Sequence, residues 1–342
     1  MLKAGLIGVG GMGRGHLDNY VRLIEEKSEI KLVALCDVNP EKFKNSKGTL
    51  NIEGVGDANY DFSQFHLYTD LDEMLEKEEL DLVTIALPTF LHCEATVKCL
   101  NKGINVFCEK PMAMNLEQCQ LMIDTAKKNN KKLMIGQVLR FWGEYEYLRN
   151  IVESGEFGKP VSGYFFRGGS TPSASWNQWL LKKECGGGAI YDQHVHDVDI
   201  IQHIFGMPKA VSSVAMNVIP GSNFDAVSTN YIFDEGFVIN SQNDWTIAGT
   251  PFMHGFRVNF TGGTLIMDQD GFKAAKTGGE FYPVEDFCKE NGYYKEICYL
   301  ADCIINNKEN TVNAPESCME TIKLVHKEIE SAANGGKVTE IK

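Results

Sequence analysis

The sequence predicts an α/β protein of two domains: a doubly wound parallel sheet over residues 1–138, then an α+β domain over 139–342 with a mostly antiparallel sheet. Three observations predict it. At 342 residues the chain exceeds the roughly 100–200 residues of a single domain. Short, uninterrupted apolar bursts alternate with amphipathic segments as far as about residue 137, which is the pattern of right-handed βαβ crossovers. Beyond about residue 138 apolar and polar residues alternate between Gly, Pro, Asn and Asp, the signature of strands in an antiparallel sheet.

Taken in order, the first strands are expected at Gly5–Val9, Leu32–Cys36, Leu82–Leu87, Asn105–Phe107 and Leu133–Ile135. Each is short, β-rich and apolar throughout, which suits a strand buried on both faces. Between them, amphipathic helices are expected at His16–Glu26, Leu71–Glu76, Phe90–Asn101 and Leu116–Asn129. The second domain offers strands at Val161–Arg167, Val211–Ile219, Val227–Phe233, Phe237–Asp244, Phe256–Phe260 and Leu265–Asp268. Its helices are expected at Asp192–Phe205, Tyr293–Asn306 and Pro315–Ala333. No internal repeat or long linker interrupts the chain, and the join near Gly136–Arg140 is short.

Composition excludes several functions. The chain carries 33 Lys+Arg against 46 Asp+Glu, a net charge of −13, which argues against a nucleic-acid partner whose phosphates need a basic footprint. Hydrophobic residues at 43% and charged residues at 23% suit a globular chain with a sizeable core. Ten cysteines include no CxxC pair, so neither zinc-ribbon spacing nor a disulfide scaffold fits, and they read as small buried hydrophobes. The first residues lack the features of a signal peptide, and no apolar run nears the roughly 20 residues of a membrane helix. A soluble cytoplasmic protein is the expectation.

Gly8-Val9-Gly10-Gly11-Met12-Gly13 follows the first strand and opens a helix near Arg14. In that context the glycines permit a tight turn, close approach of a pyrophosphate and close packing of helix on strand, while the helix N-terminus offers N–H groups to the anion. Asp37 closes the second strand, where a carboxylate can accept hydrogen bonds from ribose hydroxyls and repel a 2′-phosphate. No Arg or Lys stands at 38 or 39, so NAD is favoured over NADP. The alternative for Asp37 is a cap on the next helix.

Two further motifs carry chemistry. Cys108-Glu109-Lys110-Pro111 follows a strand, at the carboxyl edge of the sheet where ligands bind. A lysine there can hydrogen-bond a substrate hydroxyl as the alcohol loses its proton; the alternative is a solvated surface lysine. A cis Lys110–Pro111 bond is a further expectation. Gly186-Gly187-Gly188 leads to Asp192-Gln193-His194-Val195-His196. On one continuous helix Asp192, His196, Asp199 and His203 would share a stripe, and an Asp one turn before a His can orient it as a general base. The alternative makes Asp192 an N-cap and His196 a satisfied buried histidine. Asp192, His194 and His196 are all metal-ligand types, but His194 and His196 point to different sides of a helix, and no metal is expected.

The ordered combination of these motifs, with Leu87-Pro88-Thr89-Phe90-Leu91-His92, resembles the Gfo/Idh/MocA oxidoreductase family, which includes glucose–fructose oxidoreductases and inositol dehydrogenases. The resemblance implies a Rossmann domain followed by an open-faced sheet domain that packs in dimers or tetramers. It implies that Lys110 hydrogen-bonds the reacting oxygen and that Asp192 and His196 handle the proton. Leu87, Pro88, Thr89, His92, Glu109 and Lys110 would line the cofactor. The position of His194 is commonly small in the family, and this departure is similar to a subgroup implied to oxidise C3 of glucosides; His194 would then touch substrate. Arg140, Trp142, Trp176 and Trp179 are the expected substrate wall, since flat aromatics beside amides and cations suit a sugar; ordinary core packing is the alternative.

The expected function is NAD-dependent oxidation of a secondary hydroxyl on a small neutral sugar, glycoside or cyclitol, with the substrate between Lys110 and His196. Inositol 2-dehydrogenation, a redox-assisted glycoside-cleaving reaction with recycled NAD, and a non-catalytic NAD-binding regulator are the alternatives. No nucleic-acid or membrane partner is expected, and a homo-oligomer is.

Overall fold

The computed structural model describes residues 1–44 and 59–341. They form two compact units, one of Met1–Gln137 with Tyr293–Met319, the other of Val138–Gly292 with Glu320–Lys342. A single cut at 138 therefore misplaces Tyr293–Met319. The reason is packing: Ile297 and Ala301 are buried in the same apolar cluster as Leu17, Tyr20, Leu23 and Leu32.

The first unit holds six strands: β1 (Leu2–Ile7), β2 (Ile30–Cys36), β3 (His66–Tyr68), β4 (Leu82–Ile85), β5 (Asn105–Glu109) and β6 (Leu133–Gly136). They lie in the order β3-β2-β1-β4-β5-β6, and every pair is parallel. Helices α1 (Gly11–Glu25), α2 (Leu71–Lys77), α3 (His92–Asn101) and α4 (Leu116–Lys128) make the crossovers. All residues of β4, β5 and β6 are buried, as their unbroken apolar runs predict. Only β3 was not foreseen; it is three residues long and largely exposed, so no apolar burst marks it. The strand order reverses between β1 and β4, which opens a crevice at their carboxyl ends.

In the second unit a nine-stranded sheet contains β7 (Pro160–Gly168), β8 (Ala210–Met216), β9 (Ala226–Ile232), β10 (Val238–Asp244), β11 (Met253–Phe260), β12 (Gly263–Asp268), β13 (Gly271–Lys276), β14 (Tyr282–Pro283) and β15 (Thr339–Glu340). Their order is β14-β13-β12-β11-β7-β10-β9-β8-β15, antiparallel except for the β10–β7 pair. Helix α5 (Gly143–Ser154) follows the join and α6 (Ala189–Asp192) and α7 (His194–Phe205) follow the triple glycine; α8 (Gly292–Ile305) falls almost wholly in the first unit, and α9 (Pro315–Ala333) precedes β15. No helix among the described residues is long and apolar enough to cross a membrane.

The helix expected at Asp192–Phe205 is broken at Gln193, so the four-residue polar stripe does not form. Asp199 turns inward instead. Its carboxylate accepts two hydrogen bonds from Arg140, at 2.8 and 2.6 Å, and a third from Thr321 at 2.7 Å. Both side chains of the ion pair are sealed from solvent, 1% and 0% exposed. His203 accepts from Arg149 at 3.2 Å, and burial, then Arg140, push its pKa down to about 4.

Removing one partner of a buried pair strands the other charge. Asp199→Asn should cost about 3–5 kcal/mol, read as a lower urea midpoint. The double change Arg140→Met with Asp199→Leu should recover much of that loss. An unchanged midpoint in Asp199→Asn would show that the pair carries no structural weight.

Candidate active site

The glycine loop is shaped by packing at its ends and open at its middle. Gly8 has φ +90°, and a Cβ there would lie 2.5 Å from the Ala86 carbonyl oxygen; a Cβ on Gly13 would lie 1.9 Å from the Gly8 oxygen. At Gly10 a Cβ would meet nothing within 4 Å. Gly10 is the N-cap of α1 and supplies no side-chain acceptor, and Gly10, Gly11 and Met12 are half-exposed. First-turn N–H groups therefore face open space at the positive end of the helix dipole, a cradle for a pyrophosphate. Asp37 Oδ2 accepts the Val9 N–H at 2.8 Å and Oδ1 accepts the Asn39 N–H at 2.9 Å, which fixes the carboxylate beside the loop. It is not a helix cap: Asn39 caps the following turn through Glu41 N–H. These residues fit NAD. Arg14, which the sequence did not single out, is buried and donates to the carbonyls of Lys42 and Lys44 at 2.9 and 2.7 Å, tying down the chain beyond Asp37.

Lys110 is half-exposed at the end of β5, and the Lys110–Pro111 bond is cis. Its neighbours turn inward. Glu109 is 5% exposed; Oε1 lies 2.6 Å from His16 Nε2 and Oε2 accepts the Lys110 N–H at 3.1 Å. His92 is 1% exposed, with Nδ1 2.9 Å from the Pro111 oxygen and Nε2 2.8 Å from the Leu87 oxygen. Burial pushes the His92 pKa down against the two carbonyls, which favour the charged ring; in the neutral form one nitrogen carries the proton and donates to one of the two carbonyls. The Glu109 and His92 side chains, expected to line a cofactor, are turned inward and support the turns from within. Thr89 is buried too, whereas Leu87 and Pro88 remain half-exposed.

In the second unit, Gly188 enters α6 at φ +80°. From Gly186 to Ile201 every residue is buried except Asp192, Gln193 and His196, which are half-exposed. The sheet beneath positions them. Asn243 on β10 and His254 on β11 both register with Arg167 on β7, so these three side chains share one face. Asn243 donates to Gln193 Oε1 at 2.8 Å and to the Arg167 carbonyl at 3.1 Å, and this bond holds the chain where α6 gives way to α7. Arg167 donates to buried Asp197 at 3.1 Å and to the Tyr145 hydroxyl at 3.4 Å.

Two expected substrate contacts are corrected. Arg140 is the buried partner of Asp199 rather than an accessible cation. His194 is fully buried, with Nε2 2.9 Å from Glu328 Oε2, and the other oxygen of that carboxylate accepts from Tyr231. It is turned towards Glu328 on α9. Trp142 is half-exposed and packs edge-on against His254, with ring centroids 5.4 Å apart. Trp176 is 56% exposed and Trp179 half-exposed; between them Asn177 and Gln178 take φ of 49° and 53°. Sequence reasoning missed Arg167, Asn243 and His254, whose signal lies only in strand register.

Residues 2–137 match the model of the oxidoreductase family with an NAD-binding Rossmann fold, GFO_IDH_MocA, and residues 145–266 match the GFO/IDH/MocA C-terminal domain. Among curated proteins the chain is similar to 2,7-anhydro-N-acetylneuraminate hydratase of Mediterraneibacter gnavus, 28% identical over 62% of this chain and 53% of that protein. It is also 30% identical to the inositol 2-dehydrogenase of Salmonella paratyphi B, over 58% of this chain and 53% of that one. The chain thus spans about half the length of these relatives. Among solved structures, the aldose-aldose oxidoreductase from Caulobacter crescentus shares the fold with a TM-score of 0.83 at 21% identity, covering 99% of each chain. With both of its domains matched, and the parallel sheet, glycine loop and open-order second sheet in place, the chain belongs to the Gfo/Idh/MocA oxidoreductase family and opens with an NAD-binding Rossmann domain.

Proposed function

We propose that this protein is an NAD-dependent dehydrogenase that oxidises a secondary hydroxyl of a neutral sugar, glycoside or cyclitol. The observation that carries the reading is the selective exposure of Asp192 and His196 within a run that is otherwise buried apart from Gln193. A buried polar pair would be structural; a half-exposed Asp and His four residues apart, on either side of the break at Gln193, are available to a ligand. NAD, held at the Gly8–Gly13 loop and Asp37, supplies the hydride acceptor. Lys110 donates a hydrogen bond to the reacting oxygen and favours its negative charge. His196 takes the hydroxyl proton as the carbinol C–H bond breaks, and Asp192 orients the imidazole. Trp142, Trp176 and Trp179 offer apolar faces to the C–H side of a sugar ring. Oxidation at C3 of a glucoside and at C2 of an inositol are the finer forms; the similarity to an inositol 2-dehydrogenase supports the second.

A second reading is favoured by the similarity to a hydratase. There the hydroxyl is oxidised only transiently, which acidifies the neighbouring C–H and allows a group to leave, and the cofactor is regenerated within each cycle. The protein is further proposed to be a homo-oligomer. On the sheet face opposite Arg167, Val214 and Met216 are 66% and 65% exposed beside polar Ser228, Asn230, Asn240 and Gln242.

Lys110→Ala and His196→Ala should each lower turnover by about 10²–10⁴ while NAD affinity, read by fluorescence titration, stays near wild type. Turnover close to wild type in both variants would sink the assignment. A panel of inositols, free sugars and glucosides separates the two reactions. A dehydrogenase accumulates NADH in step with product, whereas the redox-assisted reaction releases the leaving group with no net NADH.

A further inference from the structure

The polar row beneath α6 and α7 has one member that the proposed chemistry does not use. Asn243 is bonded to Gln193, and Arg167 is paired with Asp197, but His254 at the end of the row has no such partner. Its Nδ1 is buried without a hydrogen bond, while Nε2 is neither buried nor bonded to any described residue. The ring packs against Trp142 and Phe252, with centroids 5.4 and 5.6 Å away. Burial, and then the Arg167 charge, push its pKa down to about 4, so the imidazole is neutral at physiological pH.

A neutral imidazole has one N–H. Sealing that N–H among aromatic rings costs more than sealing a lone pair, so the proton belongs on Nε2, directed outward. Register sets the ring one strand, about 4.8 Å, from Arg167, whose side chain reaches Asp197, the residue next to His196. The arginines of this region, Arg140 and Arg167, are each bonded to a buried aspartate, so the surroundings suit an uncharged ring better than a sugar acid.

We propose that His254 is a specificity-determining residue of this site, whose Nε2–H donates a hydrogen bond to a hydroxyl of the bound sugar or cyclitol other than the one oxidised, beside the face of Trp142. The proposal rests on the dehydrogenase reading. The contact is made equally before and during hydride transfer, so it governs affinity and leaves the chemical step alone.

The test compares His254→Phe with His254→Gln, whose amide nitrogen reaches about as far as Nε2. Protein loaded with NADH is titrated calorimetrically with myo-inositol and methyl β-glucoside, and steady-state rates are measured on whichever is turned over. His254→Phe should weaken polyol binding and raise KM about tenfold, with kcat within about threefold and with NAD affinity and thermal midpoint unchanged. His254→Gln should restore most of the affinity. Unaltered KM in His254→Phe would overturn the proposal, and so would a large fall in kcat at constant KM, which would mark a proton-transfer group instead. Polyol binding by the wild type without NAD reduction would sink the dehydrogenase reading alone, and the calorimetric comparison would still decide the role of His254.

Discussion

Helix α7 carries two aspartates that must be buried, and the orientation of the candidate active site follows from how they are neutralised. At about 100° per residue, Asp197 lies about 100° around the helix from His196 and Asp199 about 60° the other way, so the two carboxylates flank His196. Arg167 takes one and Arg140 the other, both pairs sealed from solvent. With a carboxylate anchored on either side of it, the direction of His196 is fixed together with the rotation of α7. Such pairs are weak evidence for net stability, because desolvation offsets most of the attraction. Their contribution here is directional: Leu or Met could fill the same space, but would fix the rotation of α7 far less sharply.

The first unit uses the same device on a turn. Lys110 stays half-exposed because everything beside it is held from the inside. Glu109 holds the Lys110 N–H with one oxygen and approaches His16 with the other, while His92 spans the carbonyls of Leu87 and Pro111. Each of these side chains is of a type usually associated with catalysis, and each is enclosed. In both units a buried layer of paired polar groups positions one or two exposed ones, which is how a reactive side chain is held to a narrow range of positions without being removed from its ligand.

Most of the fold was legible because it depends on local periodicity. The parallel strands of the first unit other than β3 announced themselves as apolar bursts, the glycine loop and Asp37 as a motif, and α9 as an amphipathic run whose limits coincide with the expected ones. What was not legible depends on partners distant in the chain. Residue type told that Arg140, His194, Glu109 and His92 can do chemistry, but not which way they point. Arg140 is turned inward by Asp199, 59 residues away, and Glu109 by His16, 93 away. The break at Gln193 is set by Asn243, 50 residues on, and without it Asp192–Phe205 reads as one helix. His254 gives no signal at all until the register of β7 and β11 sets it opposite Arg167.

The same arginines also govern which imidazoles can titrate. Arg140 sits near His203 and Arg167 near His254, and in each case the cation adds to burial in holding the ring neutral. A guanidinium that neutralises an aspartate on one side thereby suppresses a second proton acceptor on the other. Of the eight histidines, His16, His92 and His194 are enclosed and His66 is engaged with Glu78 at 2.6 Å on the surface. Under the proposed chemistry this matters more than the number of histidines: a site that must pass one proton works best when its other imidazoles are held to one charge state. The network that fixes the rotation of α7 is therefore also the one that keeps His203 and His254 from competing with His196 for that proton.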